Sequence, residues 1–409
     1  MKDDGDEVVR AQYERWVYPR PIADLADPSV ASQRFAGDPV LYAPLFWPDR
    51  KSRGHVEMLV AGCGANLAAK MAFDHPQINV LGIDISEASL DHARHLKAKH
   101  RLDNLALLNC RIEEVAALGR TFDLVDASGV LHHLEDPAAG LRALATTLRP
   151  DGVVHAMVYG RHGRAGIYLV QDLLRRLRLG QTKGDVAFAK QVVAALPAGH
   201  PVRHSVHLDA SYDAGFVDLF LHKRDRAYSV AECLQLVEES GLAFQDWTDR
   251  YLYYPEAHLP LAHPLSAKLA SLPEAEVWEA MELFHGNMER HDFVACRRDR
   301  DPSTFRVNFQ DSGFMDMIPV PRQGLSIVRK GSDALELELK RWYSIKATVK
   351  GLLASAVLQV DGARSVRECF KSAAGRDVAV ELCRETVRYL WRSGFVELLN
   401  ARVNPGRPV

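Results

Sequence analysis

Five short apolar runs alternate with helical patterns between residues 56 and 160, and this alternation limits the fold more than any other feature of the chain. The runs are VEMLVAG (56–62), INVLGID (78–84), NLALLNC (104–110), TFDLVDASG (121–129) and GVVHAMVYG (152–160). Helical spacing occupies residues 65–74, 86–100 and 136–149, and Ser86 is the expected N-cap of the second helix. Strands that alternate with helices form a parallel sheet covered on both faces. The sequence therefore predicts an α/β fold.

Ligands of such sheets bind at the carboxyl ends of the strands. The first strand ends in LVAGCGANL (59–67), where Gly62 and Gly64 allow a sharp turn and the close approach of a ligand. A dinucleotide site favours a third glycine facing a pyrophosphate, but Asn66 stands in that region. Asp84 ends the second strand, where a carboxylate can bind both hydroxyls of a ribose. The pattern favours a nucleoside ligand without a pyrophosphate and argues against a Rossmann oxidoreductase.

Three motifs in order, LVAGCGANL, LGIDIS and FDLVDASGVLHHLEDP…LRPDG, resemble those of the class I S-adenosylmethionine (SAM) dependent methyltransferases over roughly residues 55–160. The resemblance implies a Rossmann-like, seven-stranded methyltransferase sheet with SAM as cofactor. Gly62 and Gly64 would pass under the methionine part, Asp84 would bind the ribose and Ile85 would pack on the adenine. The full set of cofactor-binding residues that it implies is Gly62, Cys63, Gly64, Asn66, Asp84, Ile85, Arg111, Ile112, Ser128, Gly129 and Tyr18.

The chain departs from these motifs at two positions. Ala61 stands where an acidic residue often precedes the first glycine, and Arg111 stands where an Asp often lies near the adenine amine. Either Glu113 or a backbone amide would then bind that amine. Asn66, in place of a third glycine, could cap the following helix or reach the SAM carboxylate.

Candidate catalytic residues follow strands four and five. A sulfonium methyl group is already electrophilic, so the enzyme must align the nucleophile and exclude water. An N or O nucleophile that starts protonated also needs a base. His132, His133 and Tyr159 are the candidates, and two adjacent histidines point in different directions, so that one can face the cleft while the other packs. Arg161 and Arg164 could hold an anionic group; the alternative for all five is a structural or solvated side chain.

The segment YERWVYPRP (13–21) is rich in aromatic residues and precedes the first strand. In the methyltransferases that the chain resembles, such a segment folds over SAM as a lid. Trp16 or Tyr18 could then shield the sulfonium, because an aromatic face attracts a cation. The alternative is an apolar segment that packs on the surface of the domain.

The expected domains are a lid segment (1–54), a SAM-binding core (55–165), a cap or substrate region that completes the core (166–304) and a C-terminal module (305–409). Five residues of the cap region are candidates to enter the cleft: Asp218, His222, Tyr228, His285 and His291. In the module, three helices (344–362, 365–375 and 378–394) and a strand (395–401) suggest a winged-helix-like α+β arrangement.

Residues 305–409 carry 17 Lys and Arg against 11 Asp and Glu, a balance of +6. Arg384, Arg388 and Arg392 lie on one face of the last helix, but Glu381 and Glu385 dilute this stripe. We therefore expect packing or protein recognition by the module, with nucleic acid as the less favoured partner.

The whole chain is close to neutral, with a net charge of −2, and no apolar run approaches the roughly 18 residues of a membrane span. Six scattered cysteines form no CxxC pair, and the acidic N-terminus resembles no secretory signal. We expect a cytoplasmic protein without a metal site or membrane contact, and a homodimer is left open. The expected function is methyl transfer from SAM to an N or O nucleophile of an unidentified acceptor, either a protein side chain such as lysine or a small molecule. A SAM-sensing DNA-binding regulator is the alternative.

Overall fold

A computed structural model of the chain describes residues 5–31, 33, 35, 37–49, 55–204, 208–260, 262–331, 333–340 and 344–400. One sheet contains seven strands: β1 (Val56–Ala61), β2 (Ile78–Asp84), β3 (Leu105–Asn109), β4 (Phe122–Ser128), β5 (Leu148–Tyr159), β6 (Leu242–Trp247) and β7 (Arg290–Arg297). Their order is β3-β2-β1-β4-β5-β7-β6. β1 to β5 pair in parallel, and β7 is antiparallel to β5. The seven-stranded, mostly parallel sheet confirms the predicted α/β fold.

The order of the strands reverses beside β1, which pairs with β2 on one side and with β4 on the other. This switch point opens a crevice at the carboxyl ends of the strands. The glycine turn after β1 and the carboxylate that ends β2 therefore meet at one edge of the sheet.

Helices connect and flank the strands. Their bounds are α1 (Gly5–Arg15), α2 (Pro28–Ala31), α3 (Ala43–Phe46), α4 (Leu67–Asp74), α5 (Glu87–His100), α6 (Pro137–Ala145), α7 (Ala165–Arg176), α8 (Lys183–Ala195), α9 (Asp213–Phe220), α10 (Val230–Glu239), α11 (Pro264–Ala270), α12 (Glu274–His285), α13 (Gly351–Val357), α14 (Val366–Ala374) and α15 (Val380–Arg392). Ser86 caps α5, because its side chain accepts a hydrogen bond from the Ser89 backbone N–H at 3.2 Å. This confirms the predicted start of that helix.

The chain divides into two compact units. The first comprises residues 1–37, 55–244 and 285–298, and the second comprises residues 38–54, 245–284 and 299–409. The predicted boundaries between core, cap and C-terminal module stay predictions.

The second unit contains five further strands: β8 (Ile318–Pro321), β9 (Leu325–Arg329), β10 (Ala334–Lys340), β11 (Ser344–Lys350) and β12 (Val396–Leu399). β11, β10 and β9 form one antiparallel sheet, and β12 pairs with β8. The predicted helix over 344–362 is wrong, because its first seven residues form β11 and the helix α13 starts at Gly351. Helices α14 and α15 and the final strand lie where the sequence predicts them, although residue 401 lies outside the described residues. A winged-helix arrangement stays a prediction.

None of the helices in the described ranges is both long and apolar enough to span a membrane.

Candidate cofactor and acceptor site

A cavity of about 650 Å³ lies at the carboxyl ends of β1 to β5, within the first unit. Residues at or just after the end of each of these strands contribute to its wall. The N-terminal segment, from Val9 to Phe35, and the segment 209–212 complete it. Its volume is typical of a pocket for a small molecule or cofactor. Most of the residues named from the sequence line it: Tyr18, Gly62, Cys63, Gly64, Asn66, Asp84, Ile85, Ile112, Ser128, Gly129, His133 and Tyr159.

The glycine turn and the carboxylate of β2 are joined by a hydrogen bond. Gly62 and Gly64 have φ values of +65° and +55°, which residues with a side chain rarely adopt. The Gly64 backbone N–H donates to Oδ2 of Asp84 at 2.8 Å, and the Ser86 N–H donates to Oδ1 at 2.8 Å. Burial raises the pKa of Asp84, while these N–H donors act in the opposite direction. A carboxylate has about four acceptor sites, so Asp84 keeps the capacity to accept two ribose hydroxyls.

The part of the cavity beside β3, where the resemblance places the adenine, is lined by Ile85, Cys110, Ile112 and Glu113. Arg111 is not among the lining residues of the described chain, so its predicted contact with the cofactor is not supported by this geometry. Glu113 lines the cavity beside apolar side chains, and its carboxylate can accept a hydrogen bond from an exocyclic amine. Of the two alternatives that the sequence leaves open, Glu113 is the one with a side chain in place.

Asn66 anchors the N-terminal segment. Its side chain makes no hydrogen bond that caps α4, which was one of the two predicted roles, and a contact with the SAM carboxylate stays a prediction. Its Oδ1 instead accepts from the Ile22 N–H at 3.0 Å, and its Nδ2 donates to the Arg20 carbonyl at 2.9 Å. Both amide groups are therefore engaged with the backbone of the N-terminal segment, and Asn66 fixes that segment over the glycine turn.

The N-terminal segment covers the cavity with Tyr18 and not with Trp16. Tyr18 lines the cavity, and its hydroxyl donates to Oδ2 of Asp209 at 3.3 Å. Trp16 packs against the apolar cluster of α7, α8 and α9, and its ring N–H donates to the Gln181 carbonyl. Glu14 accepts hydrogen bonds from the first two backbone N–H groups of α5, at 2.6 and 3.2 Å. These contacts hold the segment on two sides of the cavity, as a lid requires.

The two adjacent histidines occupy different environments. His133 lines the cavity, and its Nδ1 lies 2.8 Å from the Arg224 carbonyl, which can only accept a hydrogen bond. The proton is therefore on Nδ1, and Nε2 carries the lone pair. Burial lowers the pKa of His133, so the ring is neutral near pH 7. His132 is 1% exposed and does not line the cavity, and neither of its ring nitrogens has a hydrogen-bond partner among the described residues. His132 packs on Tyr159 with 3.9 Å between ring centroids.

A second set of hydrogen bonds starts from the backbone N–H of the same residue, Arg224. The Arg224 N–H donates to Nδ1 of His222 at 2.9 Å, which places the proton of a neutral His222 on Nε2. That nitrogen lies 3.1 Å from the Tyr13 hydroxyl, which donates to Asp218 at 2.9 Å. Burial raises the pKa of Asp218 from 3.8 to about 7, against the opposing effect of the Tyr13 hydrogen bond. The cluster thus contains a neutral base, His133, and a carboxyl group that titrates near neutral pH.

The same cluster contains one acidic and two imidazole groups close enough to suggest a metal site. Ligand atoms of His133, Asp218 and His222 lie within 4.8 Å of one another. The hydrogen bonds do not suit a metal ion, however, because Nε2 of His222 is protonated and faces the Tyr13 hydroxyl. A ligating imidazole offers a lone pair and donates its other N–H, which is the reverse of the pattern at His222.

The predicted pair of arginines does not form an anion site in the cavity. Arg161 is exposed and pairs with Glu232 at 2.5 Å. Arg164 is buried, lies over the Tyr159 ring at 3.4 Å and pairs with Asp225 at 3.5 Å. Arg164 therefore supports the wall of the cavity from behind Tyr159, and neither arginine is among its lining residues.

Near His133 and Tyr159, the cavity also has residues that no sequence motif indicates. Tyr13, Asp209 and Tyr212 line the cavity, and Asp218 lies behind Tyr13. Asp218 and His222 were named only as possible cleft residues, and of the other three candidates, Tyr228, His285 and His291, none lines the cavity. No local sequence pattern indicates the contact between Tyr13 and Asp218, because the two residues are 205 positions apart in the chain.

Comparisons with known proteins agree with this geometry. Residues 59–154 match a family described as a methyltransferase domain. These residues therefore form a class I S-adenosylmethionine-dependent methyltransferase domain. Its cofactor is SAM, and the residues around the cavity fit that cofactor: a glycine turn without a phosphate-binding third glycine, a carboxylate for the ribose and an apolar adenine end.

Two curated relatives are similar over different lengths. The uncharacterized protein syc1184_c of Synechococcus sp. is 29% identical over 309 residues, 73% of this chain and 73% of that protein. The ubiquinone biosynthesis O-methyltransferase of Neisseria meningitidis serogroup C is 30% identical over 123 residues, which is 29% of this chain and 52% of that enzyme. The second similarity thus covers about half of the enzyme.

A solved structure resembles most of the chain in fold. The structure of PKMT2 from Rickettsia typhi gives a TM-score of 0.62 at 13% identity and covers 89% of this chain and 76% of that chain. The same protein has also been solved in complex with AdoHcy, the demethylated form of SAM. At this identity the likeness concerns the fold alone.

Proposed function

We propose that this methyltransferase transfers the methyl group of SAM to an N or O nucleophile of a small acceptor, with His133 as the base. The observation that carries the proposal is the orientation of His133. The Arg224 carbonyl accepts from Nδ1 at 2.8 Å, which leaves the lone pair of Nε2 on a neutral side chain that lines the cavity. A base positioned in this way accelerates transfer to a nucleophile that starts protonated.

SAM supplies an electrophilic methyl group on a positively charged sulfur. The residues of the chain have three tasks around it. Asp84 and the glycine turn orient the nucleoside, the N-terminal lid with Tyr18 excludes water, and Nε2 of His133 receives the proton that the nucleophile loses. Tyr13, Tyr159 and Tyr212 line the acceptor end, and their rings offer apolar faces to an acceptor.

The lid favours a small acceptor over a protein side chain. Tyr18 of the lid and Asp209 are joined by a hydrogen bond in the wall of the cavity, and Asn66 fixes the backbone of the lid. The name of the Neisseria relative, a ubiquinone biosynthesis O-methyltransferase, supports the same choice. A side chain such as lysine, presented to the cavity by a protein partner, would be the alternative outcome of the test below.

The basic stripe of α15 gives less support to a DNA-binding regulator. Arg392 pairs with Glu256 at 3.0 Å and lies over the Tyr254 ring at 4.4 Å. Arg384 pairs with Glu381 at 3.5 Å. Both cations are therefore engaged within the second unit, and packing is the proposed role of this helix. A winged-helix-like module and a cytoplasmic location remain part of the proposal.

The test begins with methyl-tritiated SAM and a host-cell extract, separated into protein, nucleic-acid and small-molecule fractions. Label in the small-molecule fraction is expected, and label confined to the protein fraction would overturn the choice of acceptor. With the acceptor in hand, His133→Gln should lower kcat by about 10²- to 10⁴-fold and leave the affinity for AdoHcy unchanged. His95→Gln, at an exposed histidine of α5, is the control.

The pH profile gives a second readout of the same base. Because burial lowers the pKa of His133, the acidic limb of kcat should fall at a pH below the 6.5 of an ordinary imidazole. This limb should be absent from the residual activity of His133→Gln. Full activity of that variant, with an unchanged acidic limb of the pH profile, would show that His133 is not the base.

A further inference from the structure

A buried carboxylate lies behind the wall of the cavity near the end of β4. Asp126 is 1% exposed, and its Oδ1 accepts a hydrogen bond from the Ser128 hydroxyl at 2.8 Å and lies 2.7 Å from Nδ1 of His155. In the parallel register of β1 and β4, Asp126 is the partner of Val60, two residues before Gly62. A buried carboxyl group needs hydrogen-bond partners, and Ser128 and His155 supply them to Asp126.

Ser128 connects this carboxylate to the cavity. The side chain of Ser128 has one proton, and that proton is directed to Asp126. Its Oγ also lies 3.3 Å from Nδ1 of His155, which is itself directed to Asp126 at the shorter distance of 2.7 Å. Because Ser128 lines the cavity, its remaining oxygen lone pairs can accept a donor from the ligand. An acceptor supported by a buried anion favours a positively charged donor.

The other lining carboxylates lie elsewhere along the cavity. Asp84 ends β2, Glu113 follows β3 and Asp209 is bonded to Tyr18 of the lid. Ala61, at the end of β1, offers no polar group. Among the described residues that line the cavity, none of these acids lies at the end of β4, where Ser128 and Gly129 form the wall.

The amino-acid end of SAM carries an α-ammonium group and an α-carboxylate, and of these two only the ammonium group can donate a hydrogen bond. We propose that Asp126, acting through Ser128, holds this ammonium group. Asp126 on β4 thus takes the place of the acidic residue that often precedes the first glycine and that is Ala61 in this chain. The inference rests on the proposed placement of the nucleoside at Asp84, which directs the amino-acid end toward β4. Asp126 is a positioning residue, and Ser128 is the group that touches the ligand.

The surroundings of Asp126 protect this arrangement from water. A side-chain carbon added at Gly37 would lie 2.2 Å from Oδ1 of Asp126, so the backbone of the N-terminal segment packs directly on the carboxylate. On the far side of His155, Nε2 of that ring lies 3.9 Å from Oδ1 of Asp292, so the imidazole separates the two buried carboxylates.

The test compares AdoHcy with its deamino analogue, in which hydrogen replaces the α-ammonium group. Neither ligand has a sulfonium, so the difference in Kd isolates the ammonium group. Calorimetry should show that the unchanged protein binds AdoHcy about 10- to 100-fold more tightly than the analogue, the range of a charge-assisted hydrogen bond. Asp126→Asn and Ser128→Ala should each bring this ratio close to one, while the affinity for the analogue stays the same.

Asp123→Asn is the matched control. Asp123 is a buried carboxylate on the same strand, but it accepts from the Glu57 N–H at 2.9 Å and pairs with Arg149, away from the cavity. This variant should keep the full ratio. If Asp126→Asn fails to fold, Ser128→Ala carries the test alone, because it leaves the pair of Asp126 and His155 in place.

Three results would overturn the inference. A ratio close to one in the unchanged protein would mean that the ammonium group makes no such contact. A full ratio in both variants would place that contact on other residues. Failure of the unchanged protein to bind either ligand would remove the proposed cofactor site itself, and this outcome differs from the other two because the control variant then also shows no binding.

Discussion

Replacement of Asp218 by Asn should change how the stability of the protein depends on pH. Asp218 is buried, with 4% of its surface exposed, and its pKa is raised from 3.8 to about 7 by burial. Between pH 4 and 7 the folded state therefore keeps a proton that the unfolded state has lost. Stability consequently decreases as the pH rises through this window and stays reduced above it. The whole change corresponds to about 4 kcal/mol at 1.36 kcal/mol for each pH unit.

The Asn variant has no proton to lose at this position. Its free energy of unfolding, measured by urea denaturation with tryptophan fluorescence, should rise relative to that of the unchanged protein by about 4 kcal/mol between pH 4 and pH 8. Other titrating groups cancel in this difference. Asp172→Asn, which removes an exposed carboxylate, should follow the unchanged protein throughout. A difference for Asp218→Asn that is flat with pH would refute the account of a buried, mostly protonated carboxyl group beside Tyr13.

Three further variants test the walls of the cavity. Asp84→Asn should weaken AdoHcy binding by about 2 kcal/mol, because one charge-assisted bond to the ribose is lost; an unchanged Kd in calorimetry would place the ribose elsewhere. Gly64→Val should lose AdoHcy binding, since its φ of +55° disfavours a side chain and an added carbon would lie 3.1 Å from Cδ of Pro19; wild-type affinity would mean that this turn does not face the ligand. Glu113→Gln should reduce the preference for AdoHcy over S-inosylhomocysteine, which lacks the adenine amine, and an unchanged preference would exclude Glu113 from adenine recognition.

The cofactor half of the site could be predicted because it depends on local rules. Gly62, Gly64 and Asp84 follow directly from strand ends in a parallel sheet, and the sheet follows from the alternation of strands and helices. The contacts of Asn66 could not be predicted, because its partners, the backbone groups of residues 20 and 22, lie more than 40 residues away.

The acceptor half depends on contacts between distant segments. The sequence does not distinguish His132 from His133, whereas in the structure only His133 of the two lines the cavity. His133 also donates to the carbonyl of Arg224, about 90 residues further along the chain. Tyr13 meets Asp218 in the same way, through the fold and not through a motif. Neither contact leaves a periodic signal in the sequence.

The wrong helix over residues 344–362 has a local cause. The stretch SIKATVKGLL contains β-branched residues with alternating burial, which is typical of a strand. Gly351, at a φ of +57°, then marks the point where the strand gives way to α13. The apolar residues after Gly351 form a helix. The predicted helix was too long by seven residues because helical spacing was also assumed for the residues of β11.

A crystal structure of the protein with AdoHcy would show directly whether the cavity is the cofactor site. Both ribose hydroxyls should lie within hydrogen-bond distance of Asp84, the adenine should lie between Ile85 and Ile112, and the sulfur should face the end of the cavity formed by His133 and Tyr159. AdoHcy bound outside this cavity, or bound inside it with the ribose away from Asp84, would show that the cofactor site is wrongly placed.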